Sequence, residues 1–122
     1  MNSLRIPAIS RTTLALFAGA SGDHNPIHID LDVAKSAGLD DVFVHGMLSM
    51  AYLGRLLTEI VPQQRIRSYG VRFTAITPVH GEPVCTATVA SVEDGLTTLD
   101  LTVALADGTV TLRGSAVIEG EL

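Results

Sequence analysis

Residues 46–61 read Gly-Met-Leu-Ser-Met-Ala-Tyr-Leu-Gly-Arg-Leu-Leu-Thr-Glu-Ile-Val, and Pro62 follows directly. This is the only long helical pattern in the chain, and Pro62 ends it because proline cannot continue a helix. The first half of the stretch is apolar on nearly every face, whereas the second half carries charged residues. A helix that is apolar all round has to be enclosed by other elements. The sequence therefore predicts one long, buried helix.

Strand patterns follow this helix. Four stretches alternate polar with apolar side chains or are rich in Val, Ala and Thr: 64–77, 84–92, 97–105 and 109–118. Asp94-Gly95 and Asp107-Gly108 mark turns between them, as expected of hairpins. A helix followed by a meander of strands predicts an α+β fold, in which an antiparallel sheet wraps the helix in a hot-dog arrangement. Because such a sheet has open edges, we expect a dimer.

The first third of the chain predicts shorter elements. Residues 4–9 suit a strand, and Ser10 is a good N-cap for a helix that ends near Gly22. A second short helix, capped by Asp30 or Asp32, runs to Gly38. Together these patterns predict one domain over residues 1–122. Its helices and a loop occupy 10–61, and its strands occupy 64–118.

Composition excludes several classes of function. The chain has 122 residues, a net charge of −5 and no basic run, so nucleic acid is not an expected partner. No signal-peptide pattern and no membrane-spanning run are present, which predicts a soluble, cytoplasmic protein. The single cysteine, Cys85, lies in a strand pattern and is expected to be a buried thiol.

Residues 21–28, Ser-Gly-Asp-His-Asn-Pro-Ile-His, place candidate acid/base groups in a turn. Gly22, Asn25 and Pro26 favour a structured loop, which can aim Asp23 and His28 at one point. A carboxylate and an imidazole are the pair that general acid/base chemistry requires. The plainer alternative is that Asp23 only caps a turn.

A metal site is the other interpretation of this loop. His24 and His28 are four residues apart, with Asp23, Asp30 and Asp32 nearby. A His-x-x-x-His site needs a helix to bring both rings to one side, and Asn25-Pro26 interrupts the segment. We therefore expect no metal, and we expect His24 to be exposed.

Three segments carry a family resemblance. Residues 17–28, with Ala34 beyond them, His45-Gly46-Met47-Leu48 and Val71-Arg72-Phe73 occur in order. They resemble the signature of MaoC-like, R-specific enoyl-CoA hydratases over about residues 10–80. The sequence departs from the family pattern at Ala20, where the family has a larger aliphatic residue.

The resemblance implies a dimeric hot-dog hydro-lyase of fatty-acid or polyester-precursor metabolism. Its reaction is reversible hydration of trans-2-enoyl thioesters to (3R)-3-hydroxyacyl thioesters. Asp23 and His28 match the residues that hold and activate water, and Asn25 matches the residue that supports the loop. No separate cofactor is implied, because coenzyme A or an acyl-carrier phosphopantetheine is part of the substrate. Which of Asp23 and His28 is the base stays open.

Other candidate residues concern substrate binding. Gly46 begins the long helix, where its free N–H and the helix dipole favour a developing oxyanion. In the family geometry, Gly54 and Leu57 line an acyl pocket. The positively charged candidates for coenzyme A phosphates or an acidic carrier-protein helix are Arg65, Arg67 and Arg72. A solvated strand face is the alternative for these arginines, and a structural role before Gly46 is the expectation for His45.

Rival functions remain at this point. A thioesterase of the same fold generally uses a carboxylate on or near the central helix, and here the helix offers only Glu59 near its far end. The chain could instead be the catalytic subunit of a heterodimeric (3R)-hydroxyacyl-carrier-protein dehydratase, or a subunit without activity. The intact set of Asp23, Asn25 and His28 argues against the last of these.

Overall fold

A five-stranded antiparallel sheet is the largest element of the fold. The computed structural model describes residues 2–122. The strands are β1 (Ser3–Arg5), β2 (Ile66–Phe73), β3 (Val84–Glu93), β4 (Leu96–Ala104) and β5 (Val110–Glu119). Their spatial order is β1-β3-β4-β5-β2, so β1 and β2 form the two edges. Asp94 and Gly95 both have positive φ and turn the chain between β3 and β4, as the hairpin signal predicts.

Three α-helices precede most of the sheet in sequence. They are α1 (Arg11–Ser21), α2 (Leu31–Ser36) and α3 (Gly46–Ile60). The side chain of Ser10 accepts a hydrogen bond from the N–H of Thr13, and Asp30 caps α2 in the same way. Ser10 is the predicted cap, and Asp30 is one of the two candidates predicted for α2, since a cap depends only on residues within three positions. The helix α2 ends at Ser36, before the predicted Gly38.

The core lies between α3 and one face of the sheet. Leu53, Leu56 and Leu57 of α3 are buried against leucines of the strands such as Leu99 and Leu101. Each such leucine contributes about 1.5–3 kcal/mol through removal of its side chain from water. This is the hot-dog arrangement of the sequence prediction.

The helix is less enclosed than predicted. Met47 is 57% exposed and Ala51 is also exposed, so the expectation of burial on every face is wrong for a single chain. These residues lie on the side of α3 that the chain's own sheet does not cover. The apolar pattern of this side therefore has no partner within residues 2–122.

Two predicted strands are shorter in the structure. In place of a strand over residues 4–9, β1 ends at Arg5, and Pro7 has no N–H to continue a ladder. In place of 64–77, β2 ends at Phe73, because the N–H groups of Thr74 and Ala75 both donate to the carbonyl of Thr111. Residues 63–65 form a 3₁₀ turn instead of strand.

The longest helix within the described residues is α3, with 15 residues. None of the helices described combines the length and the apolar character needed to cross a bilayer.

Candidate active site

The loop after α1 is shaped by its own side chains. Gly22 ends the helix with a φ of +80°, a conformation that glycine adopts without strain. Ser21 Oγ then accepts from the N–H of Asp23 at 3.1 Å, and Asp23 Oδ1 accepts from the N–H of Asn25 at 3.2 Å. Asn25 Oδ1 in turn accepts from the N–H of Ile27 at 3.1 Å. These Asx-type bonds span two residues each, so the loop conformation is encoded locally.

His28 ends the 3₁₀ turn of Pro26–His28 and is only 8% exposed. Its Nδ1 lies 2.8 Å from the carbonyl oxygen of Phe43. A carbonyl can only accept, so Nδ1 carries the proton and Nε2 keeps its lone pair. The ring of Phe43 also packs edge-on against the imidazole. His28 is therefore held in the tautomer and orientation that a proton acceptor needs.

His45, directly before α3, completes the arrangement from the other side. Its Nε2 donates to the carbonyl oxygen of Asp23 at 3.2 Å, and its ring stacks on His28 with centroids 4.0 Å apart and an interplanar angle of 24°. The side chain is fully buried, and Phe17 packs edge-on against it. His28 thus reaches the backbone of the segment before α3, while His45 reaches the backbone of the loop. We call these two contacts the crossed histidine bonds.

Burial lowers the pKa of His45, and the neighbouring His28 lowers it further, although the bond to Asp23 opposes both effects. The ring is therefore neutral at pH 7. Among residues 2–122, its buried Nδ1 has no hydrogen-bond partner. A buried acceptor without a partner lowers the free energy of unfolding by about 1–3 kcal/mol. Such groups are few in native structures, so this nitrogen is a candidate functional atom.

Asp23, His28 and His45 form one cluster. One ligand-type atom from each lies within 4.8 Å of the others, so the Asp23 carboxylate is close to both imidazoles. The exposed carboxylate and the free Nε2 of His28 can hold one water molecule between them. The second histidine of the cluster, beside His28, is His45 and not His24, which is exposed. His28 Nδ1 and His45 Nε2 are both bonded to carbonyl groups. Each ring therefore keeps its other nitrogen free, an arrangement that suits proton transfer and that metal-bound histidines also show.

Gly46 opens α3 beside an apolar cavity of about 380 Å³. No hydrogen-bond acceptor in residues 2–122 meets its N–H, which is one of the unsatisfied donors of a helix start. The ring of Phe73 lies so close that a Cβ at this position would be 3.0 Å from it. The residues around the cavity are Phe43, Val44, Ser49, Phe73, Thr74, Ala75, Ile76, Thr77 and Leu112. Phe43 therefore joins the cavity to His28.

Gly54 and Leu57 lie elsewhere. They line a separate depression of about 440 Å³ together with Thr58, Gln63, Ile66 and Tyr69. The hydroxyl of Tyr69 donates to the carbonyl of Met50, and burial raises the pKa of Tyr69. Gly54 leaves space beside the Tyr69 ring, since an added Cβ would lie 3.5 Å from it.

Two of the three candidate arginines have other partners. Arg65 donates to the carbonyls of Glu119 and Glu121, and Arg67 forms an ion pair with Glu119 at 2.6 Å. Arg65 in the 3₁₀ turn and Arg67 in β2 are therefore held to residues 119–121 and are poor candidates for phosphate groups. Arg72 is exposed and has no such partner among residues 2–122.

Sequence reasoning missed three contributions to the site. The carbonyl of Phe43 that orients His28 is a backbone group without a sequence signal. The stacking of His45 on His28 depends on contact between segments 17 residues apart. Ser49 is buried and lines the cavity, one helical turn after His45. Its being a polar residue within an apolar run was the sequence signal that could have identified it.

A sequence profile of the MaoC like domain matches residues 4–107 of this chain. The 3-hydroxyacyl-thioester dehydratase Z of Mycobacterium tuberculosis is 34% identical over 115 residues, which cover 88% of this chain and 74% of the relative. The (R)-specific enoyl-CoA hydratase of Rhodospirillum rubrum is 33% identical over 113 residues, which cover 93% and 76%.

Solved structures share the fold. The (R)-hydratase from A. caviae involved in PHA biosynthesis superposes with a TM-score of 0.85 at 23% identity, over 98% of this chain and 94% of that one. The ChsH1-ChsH2 complex from Mycobacterium tuberculosis gives a TM-score of 0.84 at 22% identity, over 98% and 93%. At these identities the likeness concerns the fold alone.

Proposed function

Since this chain belongs to the family of MaoC-like domains and is a hydratase or dehydratase of that family, we propose that it hydrates trans-2-enoyl thioesters to (3R)-3-hydroxyacyl thioesters and catalyses the reverse dehydration. The observation that carries the proposal is the cluster of the Asp23 carboxylate and the His28 imidazole within 4.8 Å. The relatives' names, a thioester dehydratase and an enoyl-CoA hydratase, support the substrate class. We propose coenzyme A or a carrier-bound phosphopantetheine as the thiol part of the substrate, with no further cofactor.

The proposed water lies between Asp23 and His28. Asp23 accepts a hydrogen bond from one O–H of the water and keeps it in place, and Nε2 of His28 takes the proton of the other O–H as the oxygen attacks C3 of the enoyl group. The bond to the carbonyl of Phe43 fixes Nε2 as the acceptor. The resulting imidazolium is stabilised by the nearby carboxylate and returns its proton to C2, so that one water is added in total.

Attack at C3 moves negative charge to the thioester oxygen. We propose that the N–H of Gly46 donates to this oxygen, because it is free and lies at the start of α3, where the helix dipole adds to its effect. The apolar walls of the cavity beside Gly46 strengthen this interaction by lowering the local dielectric constant. Gly54 and Leu57 remain proposed contacts for the acyl chain, although they line a depression separate from this cavity.

The test uses crotonyl-CoA and the loss of enoyl-thioester absorbance. We expect Asp23→Asn and His28→Ala each to lower kcat by about 10²- to 10⁴-fold, as removal of a general acid or base does. His24→Ala is the matched control, since it removes an exposed histidine from the same loop and should leave kcat unchanged. Wild-type rates in both cluster variants would refute the proposed roles, and an (S) product would refute the stereochemistry.

The thioesterase alternative is poorly supported by the helix. The sole carboxylate on α3, Glu59, is exposed near its C-terminal end and lies 4.0 Å from Arg55. Glu59 is on the last turn of α3, whereas Gly46 is on its first turn. Hydration therefore fits the positions of the polar groups better than hydrolysis.

We propose a homodimer, paired through the free edge of β2. This edge is eight residues long. Three exposed apolar side chains accompany it: Phe73 at its end, Ile76 just beyond it, and Met47 in the first turn of α3. We expect Met47→Lys to shift the protein toward monomer in analytical ultracentrifugation, because a charge in an apolar interface is costly. An unchanged dimer would exclude this face.

A heterodimer with a related subunit is the second candidate, favoured by the likeness to the ChsH1-ChsH2 complex. In that case the chain would be the catalytic half of a (3R)-hydroxyacyl-carrier-protein dehydratase. Full activity of the purified chain as a dimer would favour the homodimer.

A further inference from the structure

Two arginines face each other on the sheet. Arg72 of β2 and Arg113 of β5 are direct partners in the antiparallel register, and both are exposed. Their chain neighbours Phe73 and Leu112 line the cavity beside Gly46, on the α3 side. Because successive side chains of a strand alternate between faces, both arginines project from the outer face.

The positive charge of this pair is not neutralised within the chain. Among residues 2–122, no carboxylate lies within 4.0 Å of either guanidinium, although Arg11, Arg55 and Arg67 each have one. The nearest acid in register is Asp100 of β4, which lies opposite Ser115 and makes no ion pair. Like charges directly opposite each other destabilise a sheet. In a chain with a net charge of −5, two adjacent uncompensated arginines point to an anion.

The arginines line a depression of about 510 Å³. Its other lining residues are Gly70, Val71, Thr74, Gly114 and Ser115. Gly70 lies opposite Ser115 and leaves open space, since an added Cβ would meet no atom within 4 Å. Thr74 borders both this depression and the cavity beside Gly46. The two sites therefore adjoin at the end of β2, and a ligand passing Thr74 contacts both.

We propose that Arg72 and Arg113 bind the phosphate groups of the thioester's carrier, with the pantetheine arm passing Thr74 toward Gly46. The ligand chemistry is a phosphorylated pantetheine, supplied by coenzyme A or by the phosphodiester of an acyl-carrier protein. Guanidinium groups suit it because their planar N–H pairs match phosphate oxygens two at a time. This inference rests on the proposed function.

The experiment compares two substrates that differ only in the carrier. Crotonyl-CoA contains phosphates, whereas crotonyl-N-acetylcysteamine has the same thioester and none. We expect Arg72→Gln and Arg113→Gln each to raise KM for crotonyl-CoA about tenfold, as loss of one charge-assisted contact does, with kcat unchanged. Neither variant should alter kcat/KM for crotonyl-N-acetylcysteamine. Arg67→Gln, a charge change on the same strand at a residue already paired with Glu119, is the matched control.

A crotonyl-carrier-protein arm separates the two sources. If the arginine variants have a higher KM for crotonyl-CoA, with or without a higher KM for the crotonyl-carrier protein, coenzyme A is supported as a ligand. If their KM rises for the carrier protein alone, the site is assigned to the phosphopantetheine of the carrier. An unchanged KM with both, or equal losses with crotonyl-N-acetylcysteamine, would overturn the proposal.

Calorimetric titration with coenzyme A and with phosphopantetheine makes the inference independent of turnover. If the wild-type protein hydrates no substrate, the proposed function fails. Binding of phosphate by Arg72 and Arg113 is still supported if the wild type binds either compound and the double variant Arg72→Gln/Arg113→Gln does not. It is refuted if the wild type and this double variant behave alike. Thermal unfolding should show no loss of stability in the variants, since removing one of two opposed charges relieves repulsion.

Discussion

Replacing Gly46 by alanine separates the stability of α3 from the chemistry at its first turn. A Cβ at this position would lie 3.0 Å from Cε1 and 3.1 Å from Cδ1 of Phe73, a few tenths of an ångström inside ordinary contact. Phe73 is 50% exposed, so its ring can move aside. Alanine also improves helix propensity by up to about 1 kcal/mol, while overpacking a rigid core costs about 1–3 kcal/mol. Because the ring is only half-buried, we expect the free energy of unfolding to stay within about 1 kcal/mol of wild type.

The activity of Gly46→Ala should fall far more than its stability. The new methyl group stands between Phe73 and the N–H to which the thioester oxygen is proposed to bind. The N–H itself is retained in alanine, so the variant acts by keeping the thioester oxygen away from it. The expected decrease in kcat is that of a lost oxyanion donor, about 10²- to 10³-fold, equivalent to about 3–4 kcal/mol. Steady-state hydration of crotonyl-CoA measures the activity, and urea unfolding measures the stability.

Two further variants control this experiment. Gly19→Ala places a methyl group on exposed α1, where no atom lies within 4 Å, and should stabilise the protein by about 0.5–1 kcal/mol without altering kcat. The double variant Gly46→Ala/Phe73→Ala removes the displaced ring. If this double variant regains wild-type activity, or if Gly46→Ala alone keeps it, the thioester oxygen does not bind at the Gly46 N–H and the reasoning is refuted.

Two more substitutions test the buried histidine and the buried thiol. His45→Phe keeps an aromatic ring against His28 but loses the bond to the Asp23 carbonyl, so we expect at least tenfold lower kcat/KM. Because burial lowers the pKa of His45, only the unfolded chain takes up its proton below about pH 6.5, and acidification therefore destabilises the wild type. The difference in unfolding free energy between wild type and His45→Phe should shrink as pH falls, and a constant difference would contradict a neutral His45. Burial raises the pKa of Cys85 from 9.0 to about 11, so stability should fall by about 1.4 kcal/mol per pH unit between these values, as the unfolded chain ionises first. Cys85→Ala should lack this slope in urea unfolding, and an equal slope would assign it to other groups.

Local signals predicted the helices and the loop well. Ser10 and Gly22 act on residues within three or four positions, so their identities were sufficient to place the ends of α1. For α2 the sequence offered both Asp30 and Asp32 as the cap, and the structure has Asp30. The loop of Asp23 and Asn25 is likewise built from bonds that span two residues. The long helix follows from its apolar run and Pro62. These features need no knowledge of distant parts of the chain.

Features that depend on distant segments were missed or misjudged. The position of Arg113 opposite Arg72 follows from the register of two strands 41 residues apart, which no short pattern encodes. The end of β2 depends on the carbonyl of Thr111 in β5. The exposure of Met47 shows that an apolar helix face need not be covered by its own chain. The stacking of His45 on His28 has the same origin, contact between two loops that the sheet and α3 bring together.

The crossed histidine bonds make the loop and the segment before α3 a single mechanical unit. Neither segment can swing outward unless both bonds break and the stacked rings separate. In the proposed mechanism, the substrate meets acceptors and a donor that are already in place, so little binding free energy goes into ordering the protein. The preorganisation that enzymes often obtain from closure is here a property of the folded chain.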